Sequence, residues 1–404
     1  MRHFSWIATF LTLSFIGDRL FGYFLQKITL NSQFRYSRLY RGDAKADILL
    51  VGNSRGLGFY QPEIERLTGL NTLNISYNGM PADLATVLVR DQFQKNGAPK
   101  TMVIDVTMCD RKDDLFVAAF NVYSPYSDSL KALITRYDKT VYYGGLVSHL
   151  YRHNSEVFQR AFNYRNKTDE DWLLDRVISE KMATNTSLKS YKMRVMPEMV
   201  DHLKEMIDFA RSQGTDVKLV ISPYFPKFAE TIRDSFLTPL KTLVEAKTGL
   251  TVTDYSAALT TTEAFGDYQH ANKKGCVQFM NQLFEEKVFS VGEKVTDMPQ
   301  TVQGTQSQPA DSNLMATSVA FTLPNVESSA NRPIEHAPKQ SVSSEPAEGE
   351  MVLSTASKQI ALPKSDVTTP TPRLIAKMSK LKRRNNRLKN DYGSNVDTFM
   401  LGKY

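Results

Sequence analysis

A chain of 404 residues with a formal net charge of +7 is long enough for one sizeable folded domain and further segments. This modest charge, without a clustered basic face in the predicted domain, does not indicate a nucleic-acid partner. The two cysteines, Cys109 and Cys276, suggest neither a disulfide framework nor a cysteine-based zinc site, and we expect no metal or other cofactor.

The chain begins with an apolar stretch. Residues Phe4 to Leu25 are mostly aliphatic and aromatic, with Asp18 and Arg19 as the interruption, and their length matches one crossing of a bilayer. A cleavable signal peptide is the alternative, but no small-x-small cleavage site follows. The sequence therefore predicts an uncleaved transmembrane anchor over residues 1–27, followed by a polar, basic connector over residues 28–46.

The first predicted strand ends in a glycine, an asparagine and a serine. The run Asp47 to Gly56 has the continuous apolar pattern of a central parallel strand that stops at a tight turn. Ser54 then follows the carboxyl end of the strand, where open α/β sheets bind ligands. A helix is predicted over Pro62 to Gly69, so the Ser54 backbone N–H can help to stabilise an oxyanion. The alternative is an ordinary Asn-Ser turn.

Strand and helix patterns alternate through the rest of the domain. Strands are predicted at 72–77, 101–108, 217–223 and 250–255, with helices at 81–96, 199–213 and 225–248. Such alternation implies parallel strands joined by right-handed crossovers. The predicted fold is α/β, a three-layer α/β/α sandwich with a five-stranded, mainly parallel, flavodoxin-like sheet over residues 47–290.

An aromatic and arginine-rich insertion interrupts the pattern at about residues 111–197. Because it follows the third strand, it is expected beside the carboxyl edge of the sheet. There it could form a lid, or a wall on which sugar rings stack. The alternative is a helical cap whose aromatic side chains form its own core.

A second polar motif lies near the end of the domain, where Asp267 and His270 stand three residues apart before a helical stretch. A serine nucleophile needs a base to take its proton, and the base needs a carboxylate that fixes its tautomer. Ser54, His270 and Asp267 are therefore the candidate catalytic residues. The alternative for His270 is a solvated or helix-capping histidine.

Together, the Gly-Asn-Ser turn and the Asp-x-x-His motif resemble those of the SGNH (GDSL-like) hydrolase superfamily. The similarity covers roughly residues 45–290 and is greatest to the membrane-anchored, envelope-polysaccharide branch that includes alginate-type O-acetyltransferases. It implies an oxyanion hole formed by the backbone N–H groups of Ser54 and Gly79. The third family motif falls at Thr107 to Asp110, where Cys109 replaces the asparagine. A thiol donates more weakly than an amide, and the loss of one such donor costs about 2.7–4 kcal/mol.

This resemblance implies a serine esterase or O-acetyltransferase that removes or transfers acyl groups, chiefly O-acetyl groups, on an envelope or secreted polysaccharide. A membrane-bound acyltransferase is a candidate acyl donor. The expected location is the bacterial inner membrane, with a single pass and a periplasmic or extracellular catalytic domain. The basic residues after the apolar stretch favour the cytoplasmic side instead. The alternative function, favoured by Cys109, is a weakly active or inactive carbohydrate-binding component of a polysaccharide biosynthesis or secretion complex.

The composition changes at about residue 291 to Ser, Thr, Gln, Pro, Ala and Glu. Such a segment buries too little apolar surface to offset the entropy of ordering, so we predict a disordered tail over residues 291–404. Its basic cluster at residues 373–389 could contact anionic lipid or acidic polysaccharide, or could simply be solvated.

Overall fold

The computed structural model describes residues 2–168, 172–188 and 193–292. The predicted disordered tail, apart from its first two residues, lies outside the described residues, as does the basic cluster at 373–389. The remaining predictions fall largely on described parts of the chain.

The five strands of the sheet are all parallel and adopt the order β2-β1-β3-β4-β5, which confirms the predicted α/β sheet. They are β1 (Ile48–Val51), β2 (Thr72–Asn74), β3 (Thr101–Asp105), β4 (Asp216–Ile221) and β5 (Val252–Asp254). All four side chains of β1 are fully buried, as expected for a central strand with helices on both faces. The order reverses at β1, so the crevice beyond its carboxyl end is the expected ligand position.

The α-helices of the described residues flank the sheet or belong to the segments around it. They are α1 (Arg2–Asn31), α2 (Arg35–Arg41), α3 (Gln61–Thr68), α4 (Ala82–Asn96), α5 (Asp114–Ala119), α6 (Asp128–Tyr137), α7 (Lys139–Val147), α8 (His149–Arg152), α9 (Glu156–Asn163), α10 (Glu180–Ala183), α11 (Pro197–Ser212), α12 (Pro226–Ile232), α13 (Thr238–Thr248) and α14 (Lys273–Glu285). Helix α11 packs against α4 and α13, whereas α3 packs against α14. Right-handed crossovers place these two sets on opposite faces of the sheet.

The third strand is shorter than predicted. It ends at Asp105, and Val106–Asp110 forms a 3₁₀ turn. The Asp105 carboxylate starts this turn because it accepts the Thr107 N–H at 2.9 Å. The apolar pattern continues past the end of the strand because Val106, Met108 and Cys109 are buried within the turn.

The N-terminal segment differs from its prediction in two ways. Helix α1 covers the predicted anchor, but no helix in the described residues is both long enough and apolar enough to cross a membrane, so the transmembrane helix over 1–27 is not supported. Asp18 and Arg19 lie within the apolar stretch of α1 and reduce its apolarity. The segment expected to be a connector contains the end of α1 and also α2, whose Tyr36 and Leu39 are fully buried.

Aromatic residues of the 111–197 insertion pack against α2 and complete the core on that side. Phe120 and Tyr123 are fully buried. The Phe120 ring centroid lies 5.0 Å from that of Tyr36, and the Tyr123 centroid lies 5.1 Å from that of Tyr40. These contacts place the rings in the core of the whole domain, whereas the helical-cap alternative expected a separate core within the insertion.

Candidate active site

Ser54 lies on a compact turn between β1 and α3. The Asn53 side-chain oxygen accepts the Arg55 N–H at 3.0 Å, which closes the turn around Ser54. Two glycines allow its tight packing. A Cβ on Gly52 would lie 2.9 Å from Cα of Gly56, and a Cβ on Gly56 would lie 2.5 Å from Oγ of Ser76. The sequence Gly-Asn-Ser-Arg-Gly therefore presents a half-buried serine directly beyond the end of the strand.

His270 lies on a closed loop that precedes α14. Phe265 and Ala271 form an antiparallel bridge across the base of this loop, and the Gly266 N–H donates to the His270 carbonyl at 3.0 Å. Asn272 then caps α14 by accepting the Gly275 N–H at 3.1 Å. The backbone on both sides of His270 is thus fixed by hydrogen bonds.

The two motifs meet at the carboxyl edge of the sheet. Nε2 of His270 lies 2.9 Å from Oγ of Ser54, and Nδ1 of His270 lies 2.8 Å from Oδ1 of Asp267. These are the distances at which a histidine can take a proton from a hydroxyl while a carboxylate orients its ring. The structure therefore brings together the three residues that the sequence singled out.

Asp267 is held as an anion within this loop. Burial acts to raise the pKa of its carboxyl, but His270 and the backbone N–H groups of Gln269 and His270 outweigh burial, so the pKa lies below its ordinary value. Those N–H groups donate to Oδ1 at 2.8 and 2.9 Å. A charged carboxylate at this position favours the ring tautomer that carries its proton on Nδ1 and leaves Nε2 free to accept.

A strand-like segment of the insertion supports the histidine loop. Leu174 forms a parallel bridge with Asn272, and the Ile178 N–H donates to the Phe265 carbonyl at 2.7 Å. From the same segment, the Arg176 guanidinium lies 3.7 Å from Oδ2 of Asp267. The insertion thus adds a cation beside Asp267, a contribution that no local sequence motif indicates.

A buried ion pair lies beside the serine turn. The Arg55 guanidinium is 3.6 Å from the Asp105 carboxylate, donates to the Ser222 carbonyl at 3.0 Å and lies over the Tyr224 ring at 3.3 Å from its centroid. Asp105 also accepts the Ser222 N–H at 3.2 Å. Arg55 thereby ties the Ser54 turn to the ends of β3 and β4. Its place directly after the nucleophile candidate was the available sequence signal, but Asp105 and Tyr224 are distant in the chain.

Gly79 is the second candidate donor of the predicted oxyanion hole. Gly79 lies in the turn after β2 with φ of +74°, a conformation that favours glycine. The Arg111 guanidinium, which binds both carboxylate oxygens of Asp110, lies 3.9 Å from the position of a Cβ on Gly79. The role of the Gly79 N–H in binding an oxyanion stays a prediction.

Cys109 is fully buried in the 3₁₀ turn after β3. Burial, with the Asp110 and Asp105 charges, raises the pKa of its thiol well above the ordinary value. The thiol therefore stays protonated and is covered by protein. No disulfide joins Cys109 to Cys276. In the described part of the chain, no group of three or more histidine, cysteine or acidic residues could hold a metal ion.

Comparison with known proteins adds a distant structural similarity. Neither the protein-family models nor the curated proteins give a match. Among solved structures, the chain is similar to a Bacteroides fragilis protein provisionally named an acylhydrolase, with 10% identity and a TM-score of 0.29. The alignment covers 60% of this chain and 88% of that protein. At this score the similarity carries no argument about chemistry, which has to come from the site itself.

Proposed function

We propose that this protein is a serine-type acyl-ester hydrolase or O-acyltransferase. The observation that carries the proposal is the 2.9 Å distance between Oγ of Ser54 and Nε2 of His270, with Asp267 behind the imidazole. The three side chains come from two loops at the same edge of a parallel sheet, where substrates of such folds bind.

The reaction would proceed in two halves. In the first, Oγ of Ser54 attacks the acyl carbonyl as His270 takes its proton, and the tetrahedral oxyanion is held by backbone N–H groups, with those of Ser54 and Gly79 as the candidates. His270 then gives that proton to the departing alcohol, which leaves an acyl group on Ser54. In the second half, His270 deprotonates the acceptor, which takes the acyl group, and returns the proton to Ser54.

The acceptor decides between the two activities. Water as acceptor yields a carboxylic acid and makes the protein an esterase, whereas a sugar hydroxyl yields a new ester and makes it a transferase. The resemblance of the Ser54 and His270 motifs to those of the envelope-polysaccharide branch supports O-acetyl groups on an envelope or secreted polysaccharide as the substrate. It also supports a location at the periplasmic or extracellular face of the inner membrane, with α1 as the membrane-binding element.

Hydrolysis of para-nitrophenyl acetate by the full chain tests the chemistry. We expect turnover by the parent, loss of nearly all of it in Ser54→Ala, and no change in the matched control Ser212→Ala, which removes an exposed hydroxyl from α11. Mass spectrometry of the parent after rapid quenching should find one acetyl group on the peptide that contains Ser54. Equal rates in the parent and Ser54→Ala would contradict the proposal.

A second assay separates the two activities and the non-catalytic alternative. Oligosaccharide acceptors added to the reaction should accelerate release of nitrophenol and become acetylated if the protein is a transferase, but should have no effect on an esterase. A chain that binds acetylated polysaccharide but turns over neither this ester nor the polysaccharide would instead be the carbohydrate-binding component that Cys109 favours.

A further inference from the structure

Helix α1 carries exposed apolar side chains on every side. Those that are at least 47% exposed are Trp6, Ile7, Phe10, Leu11, Leu13, Phe15, Ile16, Leu20, Phe21, Tyr23 and Phe24. At roughly 100° per residue these positions surround the helix instead of forming one stripe. A single docked protein face would cover only one side of such a helix. A helix that is apolar all round is typical of a protein core or of lipid.

A second apolar element lies next to α1. Helices α7 and α8, here called the apolar hairpin (Lys139–Arg152), pack against each other, and α8 packs against α1. The exposed apolar side chains of the hairpin are Tyr143, Leu146, Val147, Leu150 and Tyr151, and Val147 is 76% exposed. Gly22 permits the contact between α1 and α8, because a Cβ at this position would lie 2.2 Å from Cβ of His149.

The charged pair in α1 holds the two elements together. The Asp18 carboxylate accepts the Ser148 hydroxyl at 2.5 Å and the backbone N–H groups of His149 and Leu150 at 2.7 and 3.2 Å, and so caps the start of α8. The Arg19 guanidinium donates to the carbonyls of Leu146 and Val147 at 3.1–3.3 Å, and so caps the end of α7. Both charges therefore have protein partners, which lowers the cost of placing them next to lipid.

Basic side chains flank these apolar surfaces. Lys27 is exposed one turn after Phe24, on the side of α1 that leads into the domain, and Lys139 is exposed at the start of the hairpin. Arg165 and Lys167 are exposed close to the Tyr164 carbonyl, which accepts the Gln33 N–H just after α1. Cations at the edge of an apolar surface match the anionic headgroups of a phospholipid bilayer.

We propose that α1 and the apolar hairpin form one lipid-binding surface that enters the headgroup and acyl boundary of a bilayer containing anionic phospholipid. The hairpin is the new element of this proposal, since the sequence indicated membrane contact for the N-terminal stretch and the basic cluster at residues 373–389 but not for the hairpin. The proposal rests on the membrane location given under the proposed function and is independent of the chemistry at Ser54.

Vesicle flotation of the purified full chain tests the surface. After detergent removal, we expect the chain to float with vesicles of phosphatidylcholine and phosphatidylglycerol, and less with phosphatidylcholine alone. Val147→Glu should weaken binding by about tenfold or more, because it places a charge in the apolar layer. The matched control is Val177→Glu, at a valine that is 52% exposed and follows Arg176 in the segment beside the Asp267 loop, and it should bind like the parent. Equal flotation of both glutamate variants would overturn the proposal.

Tryptophan quenching by brominated lipid measures contact of the hairpin directly. In a Trp6→Phe/Trp172→Phe background, which removes both native tryptophans, we expect Val147→Trp fluorescence to be quenched and Val177→Trp fluorescence to be unaffected. Quenching of Trp6 in a Trp172→Phe chain without quenching at position 147 would mean that α1 binds lipid alone, which contradicts a shared surface. Self-association that covers the same residues, with no vesicle binding, would also contradict it.

The contact between α1 and the hairpin can be tested through two glycines. Gly22→Val should force α8 away from α1 and reduce vesicle binding, whereas Gly17→Val should not, because a Cβ at residue 17 has no atom within 4 Å. Ester hydrolysis by both variants reports whether the domain remains folded. Loss of lipid binding with retained hydrolysis supports the proposal, and equal lipid binding by the two variants overturns it. If the chain hydrolyses no ester but binds vesicles as described, the proposed function is contradicted and the lipid-binding proposal remains supported.

Discussion

The Ser54 hydroxyl oxygen lies 2.9 Å from Nε2 of His270, although the two residues are 216 positions apart in the chain. Their contact depends on two local structures, the glycine-flanked turn after β1 and the bridged loop before α14. The contact between Ser54 and His270 predicts that His270→Gln lowers kcat for ester hydrolysis by about 10²–10⁴-fold, because the glutamine amide cannot act as a general base. Kinetics of this variant and of His202→Gln, which changes a histidine on α11, provide the comparison. A similar loss in both variants would contradict a specific role for His270.

The Asp267 carboxyl should link stability to pH. Its pKa in the folded chain lies below the ordinary value, so its charged form stabilises the fold above the unfolded value of about 3.9. This stabilisation disappears as the pH falls through the lower, folded value. We therefore expect the free-energy difference between the parent and Asp267→Asn to be largest near neutral pH and to shrink below about pH 4. Denaturant unfolding at several pH values measures it, with Asp208→Asn as the control at an exposed carboxylate on α11. A difference that does not depend on pH would argue against this linkage.

The buried pair of Arg55 and Asp105 should matter more for stability than a surface pair. Asp105→Ala leaves the buried guanidinium without its carboxylate, which typically costs about 3–5 kcal/mol. Lys204→Ala, which breaks an exposed pair with Asp208 on α11, should cost less than about 1 kcal/mol. Chemical denaturation of both variants tests the difference. A cost below about 1 kcal/mol for Asp105→Ala would mean that Arg55 finds another partner or solvent.

The packing of Gly56 against Ser76 should control the position of the nucleophile candidate. A Cβ at residue 56 would lie 2.5 Å from Oγ and 3.0 Å from Cβ of Ser76, so Gly56→Ala should displace the turn and lower kcat. The double variant Gly56→Ala/Ser76→Gly removes both clashing atoms and should recover part of the activity. Steady-state kinetics of the single and double variants provide the measurement. No recovery in the double variant would indicate that the clash with Ser76 is not the cause.

Local patterns were sufficient to predict the sheet and the approximate positions of its flanking helices. Continuous apolar runs marked the buried strands, and Gly69 ended α3 in the left-handed conformation, as expected. The end of β3 was misjudged because Asp105 starts a 3₁₀ turn through its side chain, a local capping role that hydrophobicity does not encode. Helix α2 was missed because its aromatic residues are buried by the distant 111–197 insertion rather than by a local partner.

The site was predicted only in part, because some of its residues contact partners that are distant in the chain. Ser54, Asp267 and His270 belong to short motifs at strand and loop ends, where spacing indicates position. Arg55 carried a weaker signal, because its partners Asp105, Ser222 and Tyr224 lie at or beyond the ends of β3 and β4 and only the fold brings them together. Arg176 had no local signal at all, because its role depends on how the insertion returns to the sheet.

The bridge between Leu174 and Asn272 limits how this domain can be shortened. An engineer who trims the chain to its sheet and flanking helices would delete residues 111–197 as an accessory, yet the strand-like segment within them braces the loop that carries His270. Such a minimal protein would retain its serine on an intact turn while the imidazole lost its support.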